Sequence, residues 1–170
     1  MTAAIQDLHA LWLSGAWPEL LERVELANSP DAQILRARVL IAKGYVAPPD
    51  AVGGADTPGE SAIGVLRPLV KGTGKAALEA SAELVHARYI GAILLGGDRQ
   101  LTSGTAVEVA EAAEANSAAR FRARLTEGLI ALKERNFPEA STELERASGL
   151  AVEVGGEALA ELAQAKGRLA

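Results

Sequence analysis

The amino-acid sequence predicts an all-α protein in which short helical hairpins stack on one another. Alanine is abundant, aromatic residues make up only 4% of the chain, and apolar residues recur at steps of three and four between closely spaced glycines and prolines. No stretch keeps the period-two alternation of a half-buried strand, so we expect no β-sheet. Helices joined by turns of a few residues lie antiparallel to their neighbours.

The N-terminal quarter of the chain predicts three short helices. Residues 3–14 carry apolar side chains on one helical face. Pro18 then stands in the first turn of a second helix, where its missing N–H costs nothing, so these two helices form a hairpin. A third helix begins at Ser29 or Pro30 and ends at Gly44.

Residues 45–59 predict an exposed loop, because their prolines and glycines are too dense for a helix or a strand. The segment is apolar and acidic and has no basic patch. We interpret it as a spacer between helices, with a lid over one end of a binding groove as the alternative.

The remaining sequence predicts six more helices, which brings the expected total to about nine. Glycines and prolines mark most of their ends, and Ser117 is the expected cap of the fourth of these six. The six span residues 60–70, 75–95, 105–115, 117–135, 138–154 and 157–169. We interpret the last one as a capping helix, and the whole chain, 1–170, as a single domain.

Two distant segments share a pattern in which an aromatic residue and Pro-Glu precede a helical face that ends in alanine. The matching pairs are Trp17 and Phe137, Pro18 and Pro138, Glu19 and Glu139, Leu20 and Ala140, Val24 and Leu144, and Ala27 and Ala147. The pattern resembles the second helix of a tetratricopeptide repeat (TPR). In that arrangement the aromatic residue wedges between the hairpin helices, and the small residue lets their axes approach closely.

The resemblance implies a TPR-like α-solenoid of stacked hairpins. The four hairpins would cover residues 3–28, 31–71, 75–115 and 117–153, with 157–169 as the cap. An irregular helical bundle is the alternative.

The same resemblance implies a function in protein–protein interaction, as an adaptor, scaffold or assembly factor that is not an enzyme. In TPR-like domains the first helix of each hairpin lines a concave groove, and the candidate partner-binding residues on those helices are Arg36, Arg38, His86, Tyr89, Arg120 and Arg124. Arg120 and Arg124 share a helical face and would grip an acidic peptide or a C-terminal carboxylate. The alternative for these arginines is salt bridging to neighbouring glutamates.

The net charge of the chain bears on a second class of function, the binding of nucleic acid or a small ligand. The formal net charge of −5 repels phosphate backbones, so nucleic acid is a disfavoured partner. The alternative function is nevertheless a regulatory module that binds nucleic acid or a small ligand through Arg120, Arg122 and Arg124.

No residue pattern indicates catalysis, a metal or a cofactor. Cysteine is absent, and His9 and His86 each stand without other ligands at metal-site spacing. Gly72-Thr-Gly-Lys75 lacks the spacing and the following Ser or Thr of a phosphate-binding loop, so we interpret it as a turn. Ser61 and Ser103 lie in no nucleophile-elbow pattern.

Localisation and self-association are the last expectations. The chain has no apolar run of the roughly 20 residues that cross a bilayer and no signal sequence at its start, so we expect a cytoplasmic protein without a membrane span. Ala158, Leu159, Leu162 and Leu169 would either cap the stack or pair with a second copy as a homodimer.

Overall fold

The protein was studied as a computed structural model that describes residues 8, 10–11, 14–46, 61–94 and 105–169. Within these ranges the chain forms eight α-helices and no strand, which confirms the all-α prediction. The helices are α1 (Trp17–Ala27), α2 (Pro30–Ala42), α3 (Ala62–Val70), α4 (Lys75–Leu94), α5 (Thr105–Glu111), α6 (Ser117–Lys133), α7 (Phe137–Val154) and α8 (Gly156–Gly167).

Two predicted elements fall largely outside the described residues. Leu8, Ala10 and Leu11 are helical, but the rest of the predicted helix at 3–14 is not described. The same holds for most of the predicted loop at 45–59. Among the described helices, none is long and apolar enough to cross a membrane.

Polar side chains cap helices α2 and α6 at their N-termini. Ser29 Oγ accepts a hydrogen bond from the backbone N–H of Ala32 at 3.2 Å, next to the proline that opens α2. Asn116 Oδ1 accepts from the N–H of Ala119 at 2.8 Å. The cap of α6 is therefore Asn116, and the expectation that Ser117 would cap it is wrong by one residue. An extended backbone at Asn116 aims its side chain at the free N–H groups of the first turn.

The order of helix packing is regular along the chain. Each helix packs against the next one, and α2 also packs against α4, α4 against α6, and α6 against α8. The four helices α2, α4, α6 and α8 therefore form a continuous series, which we call the even row. The odd-numbered helices α3, α5 and α7 each connect two members of this row.

The apolar core is divided into clusters that follow the same order. Four clusters of buried apolar side chains occur in the described residues: one joins α1 and α2, one joins α2, α3 and α4, one joins α4, α5 and α6, and one joins α4, α6, α7 and α8. Helix α6 lies at the centre of the last two, and every side chain from Phe121 to Ala131 is buried.

The repeated pattern is placed differently in its two copies. In α7, Ala140, Leu144 and Ala147 are all fully buried. In α1, Leu20 and Val24 are fully buried, but Ala27 is exposed because the helix ends there.

The aromatic residues of the pattern do not carry the expected contact in the described structure. Phe137 is 52% exposed, so it does not wedge between two helices, and the side chain of Trp17 lies outside the described set. Pro18 and Pro138 each stand in the first turn of their helix, where the chain needs no N–H donor.

Helices α6 and α7 instead approach each other closely at Gly128. A Cβ atom added to Gly128 of α6 would stand 2.7 Å from Cδ2 of the fully buried Leu144 of α7. Any larger residue at this position would require the Leu144 side chain to shift.

The last helix acts mainly as a cap within the chain. Ala158 and Leu162 are buried against α6 and α7, and Leu169 packs at the edge of the same cluster. Leu159 is exposed. Self-association through α8 remains a prediction that rests on Leu159 alone among these four residues.

Candidate functional site

The helices of the even row are joined by a network of buried ion pairs. Arg38 on α2 donates from Nε to Glu83 Oε1 at 2.8 Å and from Nη2 to Glu79 Oε1 at 3.1 Å. Both glutamates belong to α4, one helical turn apart, and Glu83 is fully buried. The guanidinium of Arg38 is therefore held by two carboxylates of the next helix in the row.

Arg122 continues this network from α6 to α8. Its Nε donates to the same oxygen, Glu83 Oε1, at 3.0 Å, while Nη1 and Nη2 donate to the two oxygens of Glu161 at 2.6 and 3.2 Å. The bidentate pair fixes both the position and the plane of the guanidinium. We call Arg38, Glu79, Glu83, Arg122 and Glu161 the even-row network.

Mutual attraction keeps Glu83, Arg38 and Arg122 charged in the interior. Burial on its own would raise the pKa of Glu83, but the charges of Arg122 and Arg38 outweigh burial and lower that pKa to about 2. Burial likewise opposes the charge of Arg122, yet Glu83 and Glu161 raise its pKa above the ordinary arginine value. Each charge in the network depends on its partners, so removal of one leaves another uncompensated.

His86 lies beside the network in the interior, and the hydrogen bonds around it define its protonation. Thr126 Oγ1 donates to the carbonyl oxygen of Arg122 at 2.7 Å, so its lone pairs accept from His86 Nδ1 at 3.1 Å. Burial, together with the positive charge of Arg122, lowers the pKa of His86 to about 3. The ring is therefore neutral and carries its hydrogen on Nδ1.

His86 and Tyr89 do not line an open surface. Both side chains are buried, and their ring centroids lie 6.4 Å apart. Tyr89 belongs to the apolar cluster around α6, α7 and α8. Their face of α4 packs against α6, so the structure does not expose these two side chains on the groove surface for which they were predicted.

Arg120 and Arg124 lie on the opposite face of α6 from Arg122. Arg124 donates from Nη1 to Glu143 Oε2 of α7 at 2.9 Å and pairs through Nη2 with Glu111 of α5. Arg120 donates to the carbonyl oxygen of Ala112 at 3.2 Å. These contacts direct Arg120 and Arg124 toward α5 and α7, and not into the groove for which they were predicted.

The physical reason for this error is the pitch of the helix. Residues four apart share a face, so Arg120 and Arg124 do lie together, but a residue two positions away is rotated by about 200°. The arginine that faces α4 and α8 is therefore Arg122. Arg124, Glu111, Glu143 and Arg146 form a second set of ion pairs, the outer network, which is the salt-bridge alternative for Arg124.

Arg36 and Arg38 are separated in the same way. They lie two positions apart on α2, which places them about 200° apart around the helix axis. Arg38 is the one that pairs with Glu79 and Glu83 of α4.

A shallow pocket opens where α2, α6 and α8 meet, and we call it the even-row pocket. Its lining combines charged groups with small or apolar ones: Arg38, Ala118, Phe121, Arg122, Val154, Glu157, Ala158 and Glu161. Both arginines of the even-row network reach this surface. A second pocket lies at the turn between α3 and α4, and its lining includes Gly72, Thr73 and Gly74 but no buried charged group.

Metal binding has no candidate in the described part of the chain. No group of three or more His, Cys, Asp or Glu side chains is placed there to hold an ion. His9 lies outside the described residues. The turn at 72–74 is preceded by helix α3 rather than by a strand, so it lacks the setting of a phosphate-binding loop.

Comparison with protein-family models, curated proteins and solved structures gives no match for this chain. The function therefore has to be argued from the arrangement of its own side chains.

Sequence reasoning missed the glutamates of the even-row network, although a signal for them is present. Glu79 and Glu83 are four residues apart on α4, and so are Glu157 and Glu161 on α8. Like charges at this spacing repel on an isolated helix. Such pairs on otherwise apolar helices indicate that cations from elsewhere in the fold lie between them.

Proposed function

We propose that this chain is a TPR-like helical-repeat domain that binds a partner protein or peptide along its even row and acts as an adaptor, scaffold or assembly factor. The proposal includes no catalytic step and no cofactor. It places the contact surface on α2, α4, α6 and α8, around the even-row pocket.

The order of helix contacts supports the repeat part of this proposal. The pairs α2–α3, α4–α5 and α6–α7 each pack as consecutive helices, and the first helix of each pair also packs against the first helix of the next. Stacked hairpins in a solenoid produce this order, because each unit contacts only its neighbours. The divided core, with one cluster per junction, agrees with it.

The observation that carries the functional part is the meeting of three even-row helices at one charged pocket. Arg38 comes from α2, Arg122 from α6, and Glu157 and Glu161 from α8, and all four line the same surface. A surface that gathers charged groups from several repeats can read a partner along its length.

The ion pairs of both networks argue against the alternative of a nucleic acid or anionic ligand bound by Arg120, Arg122 and Arg124. Arg122 and Arg124 are buried, and each is paired with two carboxylates. Phosphate groups would have to displace those carboxylates while facing a chain of net charge −5.

A steric block of the even-row pocket tests the proposal. Ala118→Trp fills the pocket from a partly exposed position at the start of α6, and Ala163→Trp adds the same bulk on the exposed side of α8. Each variant and the parent would be immobilised and exposed to lysate of the source organism. Any protein that is enriched would then be purified and titrated calorimetrically against all three.

We expect one protein to bind the parent and Ala163→Trp alike, and to bind Ala118→Trp at least about tenfold more weakly. Circular dichroism of both variants confirms that they remain helical. If the protein binds both variants equally, it does not contact the even row. If no specific protein is recovered with the parent, the adaptor proposal is wrong.

A further inference from the structure

We infer that α5 is a detachable helix, which leaves the fold as a unit and uncovers a groove on α4 and α6 while the other described helices stay packed. The inference goes beyond the proposed function, because it concerns the face of α6 that points away from the even row. It assigns to this short helix the role of a lid over that face.

Side chains of α6 hold α5 at both of its ends. Near the N-terminus of α5, the backbone N–H of Ala106 donates to Oε1 of the buried Glu127 at 3.1 Å. Near the C-terminus, Arg124 pairs with Glu111, and Arg120 donates at 3.2 Å to a carbonyl oxygen just after the helix ends. A carboxylate at the first turn and guanidiniums at the last turn are the charges that helix ends favour. We call Arg120, Arg124 and Glu127 the α5 clamp.

The α5 clamp and the groove belong to one face of α6. Arg120, Arg124 and Glu127 follow one another at steps of four and three residues, which places them on one side of the helix. The floor of the groove beside them consists of small apolar side chains from α6 and α4, namely Ala119, Ala123, Ala82 and Val85. The groove therefore fits a short helix with small side chains, and α5 is the helix that occupies it.

The apolar contact that holds α5 in the groove is small. Among its described side chains the buried ones are those of Ala106, Val109 and Ala110, whereas the cluster of α4, α6, α7 and α8 contains tyrosine, phenylalanine, leucine and isoleucine. Hydrophobic stabilisation scales with the apolar area removed from water, so α5 adds little to it. A helix of seven residues is also unstable on its own. We expect α5 to be folded only while it is docked.

The other helices contact one another without α5. Nδ1 of His86 on α4 lies 3.1 Å from Oγ1 of Thr126 on α6. Nε of Arg122 on α6 donates to Oε1 of Glu83 on α4 at 3.0 Å. In the described part of the chain, the apolar cluster that joins α6 to α7 and α8 contains no residue of α5. Departure of α5 therefore breaks none of these contacts, and the opening remains local.

The charges around the α5 clamp also tolerate the departure of α5. Arg124 keeps its pair with Glu143 of α7, and Glu111 is already 66% exposed. Glu127 faces the first turn of α5, so water reaches its carboxylate once the helix leaves and replaces the bond from Ala106. Opening therefore avoids an uncompensated buried charge, which is the costly outcome in the even-row network.

Single cysteines can measure the opening, because the chain has no cysteine of its own. The reporters replace three buried alanines: Ala110 on α5, Ala123 on the groove floor and Ala147 on α7. Each variant reacts with an excess of a thiol reagent under native conditions, and its rate is divided by the rate of the same variant unfolded in urea. This ratio gives the fraction of time for which the thiol is exposed.

We expect Ala110→Cys and Ala123→Cys to give ratios that agree within about threefold and that exceed the ratio of Ala147→Cys at least about a hundredfold. Agreement between a reporter on α5 and one beneath it shows that the helix leaves as a unit. A ratio for Ala123→Cys as low as that of Ala147→Cys would overturn the inference, because the groove would then open only when the whole chain unfolds.

Two further substitutions distinguish local opening from global unfolding. Ile130→Val lies in the cluster of α4, α6, α7 and α8, so its interactions persist when α5 alone leaves. It should raise the ratio of Ala147→Cys about fivefold and change that of Ala123→Cys by less than about twofold. Val109→Ala shortens the largest buried side chain described for α5 and destabilises the closed state, so it should raise the ratios of both reporters about tenfold. An equal rise of both reporters with Ile130→Val, or an unchanged Ala123→Cys with Val109→Ala, would contradict the inference.

Hydrogen exchange of the unmodified chain keeps the test decisive if a cysteine variant does not fold. The amides of residues 109–111 are protected by the hydrogen bonds of α5, and those of residues 125–130 by the hydrogen bonds of α6. Relative to the unfolded chain, we expect the α5 amides to exchange at least about a hundredfold faster than the α6 amides. Equal protection of the two sets would show that α5 opens only with the rest of the fold, and the inference would be wrong.

Discussion

The two faces of α6 carry two arginines, two residues apart, in very different surroundings. Arg122 on α6 bonds to α8 through Glu161 and to α4 through the fully buried Glu83, which it shares with Arg38 of α2. Arg124 pairs with Glu143 and with Glu111, and the latter is 66% exposed on α5. The same residue type therefore holds the interior together on one face and makes a partly solvated contact on the other.

The comparison teaches that partners rather than position along the chain determine what a charged residue contributes. Coulomb attraction rises as water is excluded, and so does the cost of leaving a charge alone. The even-row network should therefore be sensitive to the loss of any member. The outer network should tolerate the loss of its exposed members.

Glu83→Gln should produce the largest effect. The substitution keeps the shape of the side chain but leaves two buried guanidiniums with one carboxylate fewer, so we expect the free energy of unfolding to fall by about 3–5 kcal/mol. Urea titration followed by circular dichroism measures the change. A loss no larger than about 1 kcal/mol would mean that the even-row network is solvated in a way the buried carboxylate does not suggest.

Gly128→Ala should have the next largest effect and tests the packing on the other face of α6. Its Cβ would meet Leu144 Cδ2 at 2.7 Å, and the fully buried leucine would have to shift within a packed core, so we expect a loss of about 1–3 kcal/mol. Gly149→Ala on α7 is the control, because nothing lies within 4 Å of its added Cβ. That variant should gain about 0.5–1 kcal/mol from higher helix propensity.

A double variant separates this steric effect from any general effect of alanine in α6. Leu144→Val shortens the side chain that the new methyl group meets. If the contact is the cause, the losses of Gly128→Ala and Leu144→Val should sum to more than the loss of the double variant. Additive losses would show that the close approach of α6 and α7 is not the source.

The sequence predicted the helices of the described chain well, because their ends depend on local residues. The proline at position 30, Gly44 and Gly155 mark boundaries through backbone geometry that neighbouring residues alone determine. The partners of the arginines were not predictable in this way. Arg38 and Glu83 are 45 residues apart, so their pairing depends on how α2 and α4 pack.

The errors on single residues have the same origin. Arg120 and Arg124 share a face of α6 as expected. Only the packing of α5 and α7 determines that this face points toward those two helices and not toward α4 and α8. Phe137 is exposed, while α6 and α7 make close contact at Gly128 and Leu144. Local patterns predict which residues lie together on one side of a helix, and tertiary contacts determine where that side points.

Lowering the pH should reduce the free energy of unfolding through His86, which lies on the even-row side of α6. Its pKa is about 3 in the fold and near 6.5 when unfolded, so the unfolded state takes up a proton first as pH falls. The contribution of His86 to stability is therefore constant above about pH 6.5 and decreases by about 1.4 kcal/mol per pH unit below it. Glu83, with its pKa lowered to about 2 from 4.5, adds a further loss only below about pH 4.5.

A variant isolates the contribution of this histidine. His86→Asn keeps a hydrogen-bond donor toward Thr126 but does not titrate, so its stability should vary less than that of the parent between pH 6.5 and 4.5. Urea titrations at intervals across this range give both curves. Parallel curves would show that His86 does not cause the acid sensitivity, despite its position beside Arg122 and Glu83.

Glu111→Gln should have the smallest effect and completes the comparison from the outer side. Glu111 is largely exposed, and Arg124 keeps its second partner, Glu143, when the charge at 111 is removed. We expect a change within about 0.5 kcal/mol, because solvent screens the lost pair. If the free energy of unfolding fell nearly as much as for Glu83→Gln, exposure would not explain the different sensitivity of the two faces of α6. Burial of the shared carboxylate would then no longer explain why the even row is the more sensitive side.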